Sequence, residues 1–293
     1  MTRGAESSRC GLVLRPEARM THRYLMLLGL AALGTANVSA QVCDVPDAIR
    51  SAVPTDPVPE MPYVTQWVTG SDEASFPLGV GHLHYSYENQ AVELPPAATN
   101  WLRWVVLPIS STAGSPPTVW IVDGWVLREG AAPRPWGQEA LVETGYEEVS
   151  LVVLDARADG WLRIRYDVGA GSEGTGWTPS CALSAGSAVL TFSRWSEWLV
   201  NEQINGRISP LFFRSGIPGP LYRGPSAGDQ RLEDIDPDYI LYPVEVRGDW
   251  MRVKVAEPAD YCELDVMSNI REGWVRWYRP ESGPAVWYFT RGC

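Results

Sequence analysis

Three times along the chain a tryptophan-led segment is followed by a Gly-Trp pair, and this recurrence restricts the possible fold more than any other feature. Trp101-Leu102-Arg103-Trp104-Val105 precedes Asp123-Gly124-Trp125-Val126, and Trp161-Leu162-Arg163-Ile164-Arg165 precedes Thr175-Gly176-Trp177-Thr178. Trp250-Met251-Arg252-Val253-Lys254 precedes Glu272-Gly273-Trp274-Val275. Three pairings in the same order make an internal repeat. In the third copy Met251, Val253 and Val255 alternate with Trp250, Arg252 and Lys254, the period of a half-buried strand. The second copy does the same with Leu162, Ile164 and Tyr166 against Trp161, Arg163 and Arg165. One face of each strand is therefore aliphatic and predicted to meet a core, while the other sets a Trp beside an Arg. Glycine before the second Trp lets the chain turn sharply or lie close to a neighbouring backbone.

Helical periodicity is scarce. Ser193 to Ile204 (SRWSEWLVNEQI) is the best candidate, with Trp195, Trp198 and Leu199 near helical spacing. With 27 Gly and 24 Pro punctuating short strands in 293 residues, the expected architecture is all-β with little helix, built as small barrels.

These residues resemble bacterial SH3-type domains, small β-barrels that pair a turn-Trp-x-x-Val strand with a later Gly-Trp-Val strand. The third copy also has the opening element of that family, Leu221-Tyr222-Arg223-Gly224-Pro225-Ser226, with Ile235 to Val246 as intermediate strands. The resemblance covers 209–279 best, 135–185 in part, and 60–130 in its second half. The first two copies lack a clear opening element, and Leu127 to Pro133 (LREGAAP) is a distorted version of it. The resemblance implies two or three SH3-like barrels in tandem: a divergent domain over 41–130, a barrel over 131–186, and a barrel over 187–293 with an N-terminal linker and a C-terminal strand extension. It further implies a non-catalytic module that binds cell-wall peptides, glycans or protein partners.

The N-terminus predicts export. Leu25 to Leu33 (LMLLGLAAL) is an apolar run too short to span a bilayer, preceded by His22 and Arg23 and followed by Val38-Ser39-Ala40, which suits cleavage after Ala40. Residues 1–40 are therefore read as a signal peptide, with Met20 an alternative start, and the mature protein as periplasmic or secreted. In that oxidising space Cys43, Cys181, Cys262 and Cys293 are expected to form two disulfides. Four cysteines allow three pairings. Cys262 with Cys293 is favoured because both fall in one C-terminal unit, which leaves Cys43 with Cys181. No cysteine pair has the spacing of a zinc site.

The net charge is −11, and removing the five arginines and two glutamates of residues 1–40 from 24 basic and 35 acidic residues leaves 19 and 33, a net −14. Nucleic acid and anionic lipid, both polyanions, are poor partners for such a chain. The mature chain has two histidines, His82 and His84, placed at i, i+2 so that both would point to one side of a strand. Without a third ligand in the pattern they are read as a polar strand face, and no metal or cofactor is expected. Cys43, the only mature Cys upstream of these histidines, lacks the helix N-terminus that would activate a nucleophile. No His-Glu-x-x-His or P-loop pattern occurs, and no enzyme activity is expected. Glu233-Asp234-Ile235-Asp236-Pro237-Asp238 lacks the Gly and terminal Glu of a calcium loop and is read as a solvated acidic turn.

The remaining outlier is aromatic: 14 Trp and 12 Tyr against 5 Phe. Trp125, Trp177 and Trp274, each next to Gly, are expected to pack. An aromatic groove on the C-terminal barrel is the candidate ligand site, made of Tyr222, Arg252, Trp277, Tyr278, Trp287 and Tyr288. The expected function is a non-catalytic binding protein of the cell envelope that recognises a cell-wall or protein ligand. The alternative is a periplasmic inhibitor or immunity protein for which the acidic surface meets a basic target.

Overall fold

The structure, a computed structural model, describes residues 43–56, 77–85, 101, 104–136, 141–145, 148–167, 174–186, 189–199, 211–214, 218–257 and 268–288. The export signal, Cys262 and Cys293 lie outside the described residues.

Antiparallel strands dominate, as the alternating patterns require. The first helix is the five-residue α1 (Asp47–Ser51). The strands then run β1 (Gly81–Tyr85), β2 (Val106–Ile109), β3 (Val119–Val122), β4 (Trp125–Arg128), β5 (Arg134–Pro135), β6 (Leu141–Gly145), β7 (Glu148–Ala156), β8 (Trp161–Asp167), β9 (Gly174–Pro179) and β10 (Leu190–Arg194). After the four-residue α2 (Trp195–Trp198) come β11 (Leu211–Phe213), β12 (Gly219–Tyr222), β13 (Arg231–Ile235), β14 (Ile240–Arg247), β15 (Trp250–Glu257), β16 (Ser268–Arg276), β17 (Tyr278–Arg279), β18 (Gly283–Pro284) and β19 (Val286–Tyr288).

These strands form a four-stranded sheet, β2-β3-β4-β5, and a six-stranded sheet, β10-β1-β7-β8-β9, in which β6 also pairs with β7. A seven-stranded sheet follows, β13-β12-β16-β15-β14-β11-β19, beside the small hairpin β17-β18. Among the described residues no sheet closes on itself, so the closed barrels expected from the sequence are replaced by open sheets. The six-stranded sheet draws β1, β7 to β9 and β10 from all three of the segments delimited by the repeat.

The four-stranded sheet has a local cause in its turn. Asp123 and Gly124 both take positive φ, 51° and 81°, as a two-residue type I′ hairpin demands, and Asp-Gly is the sequence that tolerates it. Its strands read as unbroken apolar runs because both faces are covered. Leu107, Ile109, Val119 and Ile121 pack toward the six-stranded sheet, while Val106, Trp120, Val122 and Leu127 lie under Val45, Ile49 and Val53 of the N-terminal segment. Cys43 at the start of that segment forms a disulfide with Cys181, Cα atoms 6.2 Å apart. Cys181 stands in the 3-10 turn Ser180–Ser184 that follows β9. The expected Cys43–Cys181 pairing is thereby met.

The six-stranded sheet is likewise covered twice. Leu83, Leu151, Val153, Leu162 and Ile164 join the core shared with the four-stranded sheet. Val142, Val152, Trp195 and Leu199 join the core of the seven-stranded sheet, with Leu241, Met251, Val253, Val275, Trp277, Val286 and Trp287. A backbone bond fastens the second contact, Leu78 N–H donating to Ser282 O at 2.8 Å, and the Trp195 indole N–H holds Leu78 in place by donating to its carbonyl at 2.8 Å. The Tyr288 hydroxyl donates to Thr144 O across the same boundary. Two buried guanidiniums lie there as well, Arg165 donating to Pro77 O at 2.5 Å and Arg214 to Pro284 O at 3.2 Å. Burial, and the charge of Arg214 to a lesser degree, lower the Arg165 guanidinium to about 10, which leaves it protonated at neutral pH.

The helix expected over Ser193 to Ile204 is realised as α2 alone within the described residues, ending at Leu199. Trp195 there is fully buried.

Candidate functional site

The second and third copies of the repeat adopt one geometry. In the second, β8 and β9 pair with Arg163 opposite Trp177 and Ile164 opposite Gly176. In the third, β15 and β16 pair with Arg252 opposite Trp274 and Val253 opposite Gly273, the same register. The glycine marks a crossing. A Cβ on Gly273 would lie 2.6 Å from Leu221 Cγ and 2.8 Å from Tyr222 O, and one on Gly176 would collide with the Ile109 side chain. The crossing strand then pairs with the Trp that follows: Tyr222 with Trp274, and Ser110 with Trp177 through two backbone bonds of 2.8 Å.

The opening element of the second copy is therefore Ile109-Ser110 at the end of β2. Leu127 to Pro133 plays no such part: it closes β4 and turns at Gly130, whose φ is 71°. The first copy does not share the hairpin. Gly124 is a turn residue, and Trp101 is buried against Trp136, ring centroids 6.4 Å apart.

On the outer face of the seven-stranded sheet, this register assembles a row of side chains across four strands. Tyr222 of β12, Trp274 of β16, Arg252 of β15 and Glu245 of β14 are consecutive partners. The Tyr222 and Trp250 rings meet edge to face at 5.3 Å. Arg247 lies over the Trp274 ring, 5.1 Å from its centroid, which helps to leave that indole only 7% exposed. The charges alternate and are fixed by one another: Arg247 to Glu245 at 2.5 Å, Arg252 to Glu245 at 3.4 Å, and Arg252 to Glu272 at 2.9 Å. The result is a half-exposed aromatic pair beside an ordered and nearly neutral set of hydrogen-bonding groups. Such a face can stack on a planar or ring-shaped apolar surface and hydrogen-bond around its rim. It holds no nucleophile beside a base.

Of the six residues expected to form one groove, the structure brings Tyr222 and Arg252 to this face and places the others elsewhere. Trp277 is 1% exposed, with its indole N–H donating to Gly248 O at 2.9 Å, and Tyr278 packs against it at 5.5 Å. Trp287 and Tyr288, 1% and 5% exposed, are interior rings at the contact with the six-stranded sheet. The six therefore do not line one groove, because Trp277, Trp287 and Tyr288 are core rings and Tyr278 is half-buried against them. Trp250, Trp274 and Arg247 are members of the face that the proposed set omitted. Their signal was present, since Trp250 alternates with the core-facing Met251 and Val253.

A second cluster joins residues that the sequence left apart. The His82 ring lies tilted against Trp195 at 4.3 Å and edge to face with Trp198 at 5.1 Å, and 5.1 Å from His84. Trp198 continues to Trp287 at 5.9 Å and Tyr288 at 5.3 Å. His84 Nε2 is hydrogen-bonded to Ser193 Oγ at 3.1 Å. Burial, and more weakly the neighbouring His84, hold the His82 imidazole well below the usual histidine range. No group of three or more His, Cys, Asp or Glu converges as a metal centre among the described residues. The acidic run at Glu233–Asp238 is largely exposed, with Glu233 paired to Arg271 and Asp234 to Arg231. No helix among the described residues is long and apolar enough to cross a membrane.

Compared with known proteins, the chain matches no family model and no curated sequence.

Proposed function

We propose that this chain is an exported, non-catalytic binding protein of the cell envelope, whose cell-wall or protein ligand docks on the outer face of the seven-stranded sheet. Tyr222, Trp250 and Arg252 are the contact residues. The observation that carries this reading is the half-exposed Tyr222–Trp250 pair set beside the Arg247–Glu245–Arg252–Glu272 ladder. Rings already packed edge to face lose little conformational freedom on binding, and ion-paired side chains are oriented before a ligand arrives. The two copies with a common hairpin and crossing strand support their reading as SH3-like units, and the N-terminal apolar run with its small-residue cleavage site supports export. Exposed carboxylates at Asp234, Asp236 and Asp238 favour the second reading, an inhibitor or immunity protein with a basic target.

Co-sedimentation of the mature chain with purified cell-wall sacculi, across ionic strength, tests the first reading. Wild type is expected in the pellet, and Trp250→Ala and Arg252→Ala in the supernatant with unchanged melting curves. Wild type that stays in the supernatant at every salt concentration overturns the cell-wall arm. Binding to a basic protein that is lost with salt and indifferent to Trp250→Ala selects the second reading.

A further inference from the structure

His82 is the least explained residue in the molecule. It is 1% exposed, and neither ring nitrogen has a hydrogen-bond partner. A neutral imidazole carries one donor and one acceptor, and each left unmade in an apolar setting costs about 1–3 kcal/mol. A leucine or phenylalanine would fill the same place without that cost. Its surroundings are unusual too: indoles of Trp195 and Trp198 on one side, Val152 of β7 as its strand partner, and the Trp287–Tyr288 pair beyond Trp198. This is the contact through which the six-stranded sheet carries α2 against the seven-stranded sheet.

We propose that this contact is an acid-operated latch, in which a proton taken up by His82 parts α2 from β1 and uncovers the Trp198–Trp287–Tyr288 cluster.

Two effects compete when His82 is protonated. The imidazolium would gain cation–π attraction from the indoles, about 2 kcal/mol when desolvated. Against it stands full burial, which strips the charged form of its hydration and holds the imidazole well below the usual histidine range. Burial wins. No carboxylate offsets it. From β1, His84 faces His82 and repels a second positive charge. From β10, the facing side chain is the neutral Ser193. From α2 the facing groups are two indoles, with Arg194 and Glu197 exposed to solvent. From the seven-stranded sheet, Tyr288 is engaged by Thr144 O.

The sign follows from linkage. The folded state holds His82 neutral below the pH at which the unfolded chain takes up the proton, near 6.5. Stability is then complete above about pH 6.5 and declines as pH falls through that value. The decline reaches a tenfold change in the unfolding equilibrium per pH unit, until the folded-state value is passed. His84 is the only other histidine of the mature chain, so few groups share the window above pH 5.

Urea unfolding of the full mature chain between pH 7.5 and 5.0, followed by tryptophan emission, tests the latch. Wild type is expected to show an unfolding constant raised at least about tenfold at pH 5.0, with red-shifted emission in the absence of urea only once the pH is carried below 5. His82→Leu should be more stable at pH 5.0 and nearly flat across the window. A pH dependence unchanged in His82→Leu overturns the proposal. Because that variant could misfold, the wild-type imidazoles are also followed by NMR. A His82 signal that does not titrate in the native fold above pH 5 supports the latch, and a His82 titrating at about 6.5 or higher overturns it.

Discussion

The second and third copies of the repeat build one hairpin in one register and then dress it differently. Both place a glycine where another strand crosses, at Gly176 under Ile109 and at Gly273 under Leu221. Both cover the following indole with an arginine from the end of the strand before the hairpin, Arg157 just past β7 over Trp177 at 5.9 Å and Arg247 at the end of β14 over Trp274 at 5.1 Å. Both reach across the pair with a second arginine, Arg163 to Thr175 at 3.3 Å and Arg252 to Glu272 at 2.9 Å. The third copy adds what the second lacks: Tyr222 in the place of Ser110, a ring contact to Trp250, and Glu245 completing the charge ladder. The shared features belong to the scaffold, and the additions distinguish the outer face proposed above as the docking surface.

The largest predicted effect separates the copies by their support. The second is stapled through Cys181, just past β9, to Cys43 at a sequence separation of 138. A cross-link closing so long a loop contributes about 2–5 kcal/mol, so Cys43→Ser or reduction should lower stability by that amount in urea unfolding. It should also release Val45, Ile49 and Val53 from Trp120 and Leu127, seen as faster amide exchange in 43–56. Exchange in β15 and β16 should change far less if the third copy rests on its own core. Equal acceleration in both copies would show that they unfold as one.

Next come the crossings. Gly273→Ala drives a Cβ to 2.8 Å from a backbone oxygen, that of Tyr222, and should cost about 2–3 kcal/mol. Gly176→Ala meets chiefly Ile109 Cγ2, with Ser110 O farther at 3.1 Å, and should cost about 1–2 kcal/mol because the Ile109 side chain, unlike a backbone oxygen, can turn about its Cα–Cβ bond. Comparable melting temperatures for the two variants would break the distinction between a backbone crossing and a side-chain one.

How much of this was legible in the sequence depends on whether the cause was local. Alternation along Trp250–Val255 and Trp161–Tyr166 announced strands and their core faces, because a strand reads its environment every second residue. The Gly-Trp pairs announced close approach, and two of the three show it. What escaped were matters decided by distant partners. Ile109-Ser110 carries no aromatic or turn signature that marks it as an opening strand, since its role is set by the strand it crosses. Trp287 and Tyr288 looked like a dense surface cluster, and only the contact with the six-stranded sheet makes them interior. Trp101 shares the repeat's spelling, yet it serves as a core plug beside Trp136. His82 could be recognised as a strand residue, whereas its lack of any polar partner depends on α2 folding back over it.

The smallest effect on stability sharpens the comparison most. Arg252→Ala removes partners from Glu245 and Glu272, and Arg163→Ala removes one from Thr175. All of these groups are substantially exposed, so both variants should melt within about 1 kcal/mol of wild type. They should part company in binding. Freed of Arg252, Glu245 and Glu272 leave the face with excess negative charge and no fixed donor beside Trp250, so ligand affinity should fall about tenfold or more. Arg163→Ala leaves that face untouched and should bind as wild type does. A loss of equal size in both would move the binding surface from the third copy to the feature the copies share, the arginine-capped tryptophan itself.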